Sequence, residues 1–225
     1  MGSENLFHKH KAKQARNLER KRAKRAAYDR VLIVCEGEKT EPNYFQGLCD
    51  YYRLNSANIE ICGDCGSAPI NVVERAKELY RAEKRSGIPF DRVYCVFDKD
   101  SHRTYEAALQ AVNNAKPKAT FFVVNSIPCF EFWLLLHFTY TTSPFCGTES
   151  SNSAGDQVLD RLRKYIPSYA KGNHGCFDLL IDQLPQAMEN SKRALHSANE
   201  NGTDNPTTLV HELVEYLQGL GSTNP

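Results

Sequence analysis

The 225-residue sequence predicts an α/β fold: a mostly parallel sheet flanked by helices, with a C-terminal helical extension. Three observations carry that expectation. Short apolar runs recur at 31–35, 58–62, 92–97 and 119–124, segments of helical period lie between them, and from Ser126 onward the pattern is helical. Strands joined through helices imply right-handed crossovers, so the strands run parallel and the helices cover both faces. In such sheets ligands bind at the carboxyl ends of the strands.

Taken in order, Val31, Leu32, Ile33, Val34 and Cys35 form a continuous apolar run bounded by Gly37, the pattern of a strand buried on both faces. Thr40 can cap a helix that has Pro42 in its first turn and Tyr44, Phe45 and Leu48 along one face. A second strand at 58–62 leads into the loop GDCGSAP. Residues 70–85 read as a helix with Val73, Ala76, Leu79 and Tyr80 inward and Glu74, Lys77, Glu78 and Arg81 outward. The third strand at 92–97, a helix at 105–115 and a β-rich run at 119–124 complete an α/β domain. The segment 129–138 is almost entirely apolar and predicts burial, and 139–155 is a polar loop. Further helices are expected at 156–165, 177–196 and 206–218, the last with Leu209, Val210, Leu213, Val214 and Leu217 on one stripe. The chain therefore divides into a basic arm (1–30), an α/β domain (31–138) and a helical extension packed on it (139–225).

Composition narrows the function classes. Hydrophobic residues make up 41% and acids and bases nearly balance, 28 Lys or Arg against 27 Asp or Glu, as in a globular protein with a substantial core. The longest strongly apolar stretch, 127–138, contains Glu131 and His137 and falls well short of the roughly 20 residues that cross a bilayer. Residues 1–30 are too charged for a secretory signal, and Leu6 stands where a myristoylation motif has Ser or Thr. A cytoplasmic protein without membrane contact is the expectation. The eight cysteines lie mostly in apolar segments; only Cys62 and Cys65 form a CxxC, with no second pair to complete a zinc site, so two unrelated loop thiols are the simpler reading.

Near-neutrality hides a charge split. Residues 1–30 hold ten Lys or Arg against Glu4, Glu19 and Asp29, leaving 18 bases and 24 acids, a net of −6, for 31–225. Lys21, Arg22, Lys24 and Arg25 with their neighbours make an arm whose natural partner is nucleic-acid phosphate, the alternative being a solvated or protein-binding tail.

The main chemical signal is where the acids fall. Glu36 directly follows the first strand, and Asp98 and Asp100 directly follow the third, so all three belong at one edge of a parallel sheet. Two like charges about 4 Å apart repel by about 4 kcal/mol at an effective dielectric near 20, so three gathered carboxylates call for a cation. Oxygen-only ligands favour Mg²⁺ or Mn²⁺, which suits phosphoryl transfer. An Asp-Lys-Asp after a strand is also a common surface turn, and Glu41 is equally well a first-turn helix acid or a further ligand or base.

VLIVCEGEKTEPNYF, VFDKD, PCFEFWLLLHF and NPTT before the last helix together resemble the RloB family, over about Val31 to Gln218. That resemblance implies a fold related to the Toprim domain, with Glu36 in the position of the metal-binding glutamate and Asp98 and Asp100 in the DxD positions. It also implies a Mg²⁺-dependent nuclease of prokaryotic antiviral defence, associated with restriction or abortive-infection loci, acting on DNA or RNA with other defence proteins as partners. Glu41 is the nearest equivalent of the second acid found in OLD-type nucleases, one residue further along, and Lys39 is placed to offset charge on a phosphate. Glu131, alone in an apolar segment, needs a metal, a lysine such as Lys39 or a backbone donor. Tyr169 and Lys171 resemble the family's YxK element, with Lys171 as a phosphate contact or a plain surface lysine. His137 and Trp133 read as core, and Asn205, Pro206 and Thr207 as a cap on the final helix or a phosphate-receiving helix end. The rival class is a binding module that holds a cation and nucleic acid without cleaving. Nucleotidyl transfer lacks a Gly-rich nucleotide loop in this sequence.

Overall fold

The computed structural model describes residues 28–66, 68–99, 103–147 and 153–222. Four strands run parallel: β1 (Val31–Cys35), β2 (Ile59–Cys62), β3 (Arg92–Asp98) and β4 (Phe121–Ile127). A two-residue strand, β5 (Thr207–Thr208), pairs antiparallel with the end of β4, giving the sheet order β2-β1-β3-β4-β5. The helices are α1 (Thr40–Tyr51), α2 (Pro69–Arg85), α3 (Tyr105–Asn113), α4 (Glu131–Leu135), α5 (Ala154–Leu162), α6 (Leu184–Glu200) and α7 (Val210–Ser222). Among the described residues no helix is long and apolar enough to cross a membrane.

The central position of β1 explains why its five residues are all buried: alternate side chains serve two different cores. Val31, Ile33 and Cys35 point to one face, where Tyr44, Phe45 and Leu48 of α1 and Val210, Leu213, Val214 and Leu217 of α7 pack. Leu32 and Val34 point to the other, against Val72, Val73 and Ala76 of α2 and Ala108 and Val112 of α3. Each such fully buried Leu or Val contributes about 1.5–3 kcal/mol relative to exposure. A third cluster forms where Phe132, Leu135 and Leu136 meet Phe145, Val158 and Ala194. The opposite side of α4, through Trp133 and Leu134 with Phe130 just before the helix, joins the first core. The short helix is thus covered all round, which accounts for the unbroken apolar composition of PCFEFWLLLHF.

The extension is continuous with the α/β domain. It supplies β5 to the sheet, and α7 covers one sheet face within the same core as β1. Several expected boundaries move. Thr40 does not cap α1, whose N-cap is Lys39; instead its Oγ1 accepts the Gly172 amide at 2.9 Å. The helix expected from 177 begins only at Leu184, after a 3₁₀ turn at Ile181–Gln183, with Pro185 in the first turn that it favours. The segment expected as one helix from 206 starts as β5, and Asn205 caps nothing: its side chain accepts from the Phe145 amide at 3.2 Å and donates to the Phe145 carbonyl at 2.8 Å. Ser153, by contrast, caps α5 in a reciprocal box with Asp156.

Candidate active site

Parallel pairing of β1 with β3, with Cys35 opposite Val96, brings the ends of both strands to one edge of the sheet. Glu36 continues the ladder by donating its amide to the Val96 carbonyl at 2.9 Å. Its carboxylate turns toward β3 and accepts the Asp98 amide at 3.1 Å. Glu36 and Asp98, separated by most of a βαβαβ unit in sequence, are therefore adjacent. Asp100 lies outside the described residues, as do Lys21, Arg22, Lys24 and Arg25 of the arm.

Glu41, in the first turn of α1, is only 6% exposed. Its carboxylate folds back over Gly37 and accepts that residue's amide. A Cβ at position 37 would stand 2.1 Å from Glu41 Oε2, so glycine is what permits this approach. Desolvation, with added repulsion from Glu131 and Glu36, pushes the Glu41 carboxyl up to about 7. Asp98 is raised well above the ordinary carboxylate range by desolvation first, then by the charges of Glu41 and Glu131; the Phe130 amide, which it accepts, opposes the shift.

Glu131 is the first residue of α4 and 2% exposed. Its partners come from the extension: Tyr169 donates its hydroxyl to Glu131 Oε1 at 3.2 Å, and Lys171 Nζ stands 3.4 Å from the same oxygen. The lysine expected here, Lys39, is exposed, and its stem packs beside Gly172. The segment carrying Tyr169 and Lys171 is held in place by α1, since Thr40 accepts the Gly172 amide and Asn43 donates to the Gly172 carbonyl at 3.1 Å. Lys171 is thus both the counter-charge of Glu131 and a wall of the cleft described next.

Glu36, Glu41, Asp98 and Glu131 act on one another electrostatically, and Asp98 opens onto a cleft of about 650 Å³. Lys99, Lys171, Asn205 and the capped start of α5 also line it. Lys99 is paired with Asp204. Ser153, Asp156, Lys99 and Asp204 were not among the residues expected here; the Ser-x-x-Asp capping signal was present in the sequence, but nothing in it tied that cap to the strand ends. The donor set is oxygen-only and rich in negative charge, which fits a hard divalent cation. Among the described residues, no three metal-binding side chains are gathered into a ligand group, so Glu36 and Asp98 are the pair from which such a site would be built.

Other candidates separate from this edge. His137 is a core residue, its Nδ1 at 3.1 Å from the Trp133 carbonyl, and burial pushes it down to about 4. Cys62 and Cys65 are half-buried free thiols, both raised by burial, Cys65 to about 11.

No curated protein matches the chain. The family model described as RloB-like protein matches residues 31–217, from the first residue of β1 to the middle of α7, and the chain belongs to that family.

Proposed function

We propose that this protein is a Mg²⁺- or Mn²⁺-dependent nuclease, hydrolysing phosphodiester bonds of nucleic acid in prokaryotic antiviral defence. The observation that carries the reading is the contact of the Glu36 carboxylate with the Asp98 amide, which gathers acids from two strand ends beside an open cleft. The defence role rests on the family resemblance, as does Asp100 as the third metal ligand.

Glu36 and Asp98, with Asp100, would hold the cation, which when bound supplies neutralisation of phosphate oxygens and a more acidic water. Glu41 sits with its carboxyl near neutrality, suited to take a proton from water. Glu131 is fixed by Tyr169 and Lys171, and Lys171, 60% exposed, also presents positive charge to a phosphate in the cleft. Lys39, exposed beside Gly172, can approach the same phosphate from the α1 side.

The test is incubation of the full chain with tRNA, single-stranded DNA and plasmid in Mg²⁺ or Mn²⁺. Fragments should appear, and Glu36→Gln and Asp98→Asn should each abolish them while the fold is retained. Full activity of both variants, or undiminished cleavage in EDTA, defeats the proposal. The rival reading, a non-catalytic module that binds a cation and nucleic acid, differs in one outcome of the same experiment. Under that reading the protein binds the same nucleic acids and no fragments form.

A further inference from the structure

The chain outside the basic arm carries a net charge of −6, with 18 bases against 24 acids, yet its bases are unevenly spread. Lys77, Arg81 and Lys84 occupy one face of α2 at successive turns. Together with Lys116, from the turn after α3, they line a groove of about 370 Å³ whose floor includes Tyr80 and Phe121. The two rings meet edge to face at 5.3 Å. No carboxylate lines the groove. Lys77 is paired with Glu74 at 2.9 Å, and the other α2 acids are engaged elsewhere, Glu78 with Arg75 and Glu83 with Arg30. Arg81, Lys84 and Lys116 are exposed, and no acid of the described residues is ion-paired with any of them.

Concentrated positive charge on an otherwise acidic domain, free of carboxylates in its lining, recognises a polyanion. We propose that this groove binds the phosphate backbone of a nucleic acid at a site separate from the carboxylate edge. Phe121 begins β4, whereas Glu36 and Asp98 lie at the opposite ends of the strands, so the two sites stand roughly 20 Å apart along a seven-residue strand. That spacing spans roughly six steps of a duplex strand. A nucleic acid held in the groove can therefore extend past the sheet without occupying the carboxylates. The class of the occupant rests on the nucleic-acid reading above; the charge and shape of the groove do not.

Binding is measured in EDTA, where cleavage plays no part, so failure here is distinguishable from failure of the nuclease reading. The full chain is titrated with a fluorescein-labelled single-stranded oligonucleotide over a range of salt. Loss of three phosphate contacts in the Arg81→Glu, Lys84→Glu, Lys116→Glu variant should lower the slope of log affinity against log salt by about 2. An unchanged slope in a folded variant overturns the proposal. In case the variant does not fold, acetylation of lysines in the wild-type chain provides a second measurement. The oligonucleotide should protect Lys84 and Lys116 but not Lys192, which pairs with Glu215 on the helical extension. Equal reactivity with and without oligonucleotide, or protection by polyglutamate and not by the oligonucleotide, also overturns it; the latter would assign the groove to an acidic protein.

Discussion

Replacing Lys171 by Met removes one charge from the Glu131 pair and keeps most of the packing of the stem. Glu131 is 2% exposed and cannot turn to solvent without breaking the start of α4. At 3.4 Å the attraction amounts to about 1 kcal/mol at the dielectric of water and about 5 kcal/mol at an effective value of 20. Because Lys171 is 60% exposed, the lower half of that range applies, and a loss of about 2 kcal/mol is expected. In a domain of this size that lowers Tm by about 4–8 °C. Denaturant unfolding of wild type, Lys171→Met, Glu131→Gln and the double variant gives the coupling directly, and Lys171→Arg should restore most of it. The sign with pH follows. Burial lowers the Lys171 pKa, but the charge of Glu131 more than offsets this and the net shift is upward. The contribution is then fully present below the ordinary lysine value and is lost only as pH rises through the raised one, so the deficit should be equal at about pH 7 and about pH 9. A coupling below about 0.5 kcal/mol would refute the view that Lys171 neutralises a buried acid.

Further predictions concern the core and the sheet edge. His137, pushed down to about 4 by burial, binds a proton in the unfolded chain before it does in the fold. Stability should therefore fall by about 1.4 kcal/mol per unit as pH drops below about 6.5, totalling about 3 kcal/mol, and His137→Phe should flatten that acid limb in urea titrations. Gly37→Ala places a methyl 2.1 Å from Glu41 Oε2, so the carboxylate must move. Cleavage should drop at least tenfold while Tm changes little, and unchanged turnover would remove Glu41 from the chemistry. Asp98→Asn removes a largely desolvated carboxylate crowded by Glu41 and Glu131; it should raise stability by about 1 kcal/mol in EDTA at about pH 8 and end cleavage in Mg²⁺. A destabilised Asp98→Asn protein would show that the carboxylate is structural. Leu217→Ala in α7 should cost about 2–5 kcal/mol in denaturant unfolding, since its side chain is fully buried against the sheet.

The local pattern of the sequence determined the four parallel strands and the helices between them. A fully apolar β1, a period-3.6 α2, a Glu directly after β1 and an Asp at the end of β3, which reaches one residue further than expected, are properties of neighbouring residues, and crossover handedness does the rest. The adjacency of Glu36 and Asp98 was legible for that reason. Tertiary structure alone decided what depends on contacts between distant segments. It chose Lys171 over Lys39 as the partner of Glu131, because Gly172 is pinned to Thr40 and Asn43 and carries Tyr169 and Lys171 over α4. It also turned Thr207 and Thr208 from an expected helix start into β5, because the end of β4 offers an unpaired edge and Ser126 lies opposite Thr208, their hydroxyls 2.9 Å apart. A backbone edge waiting for a partner, and a buried acid waiting for a charge, have no signature within a few residues of themselves; only the packed chain brings their complements near.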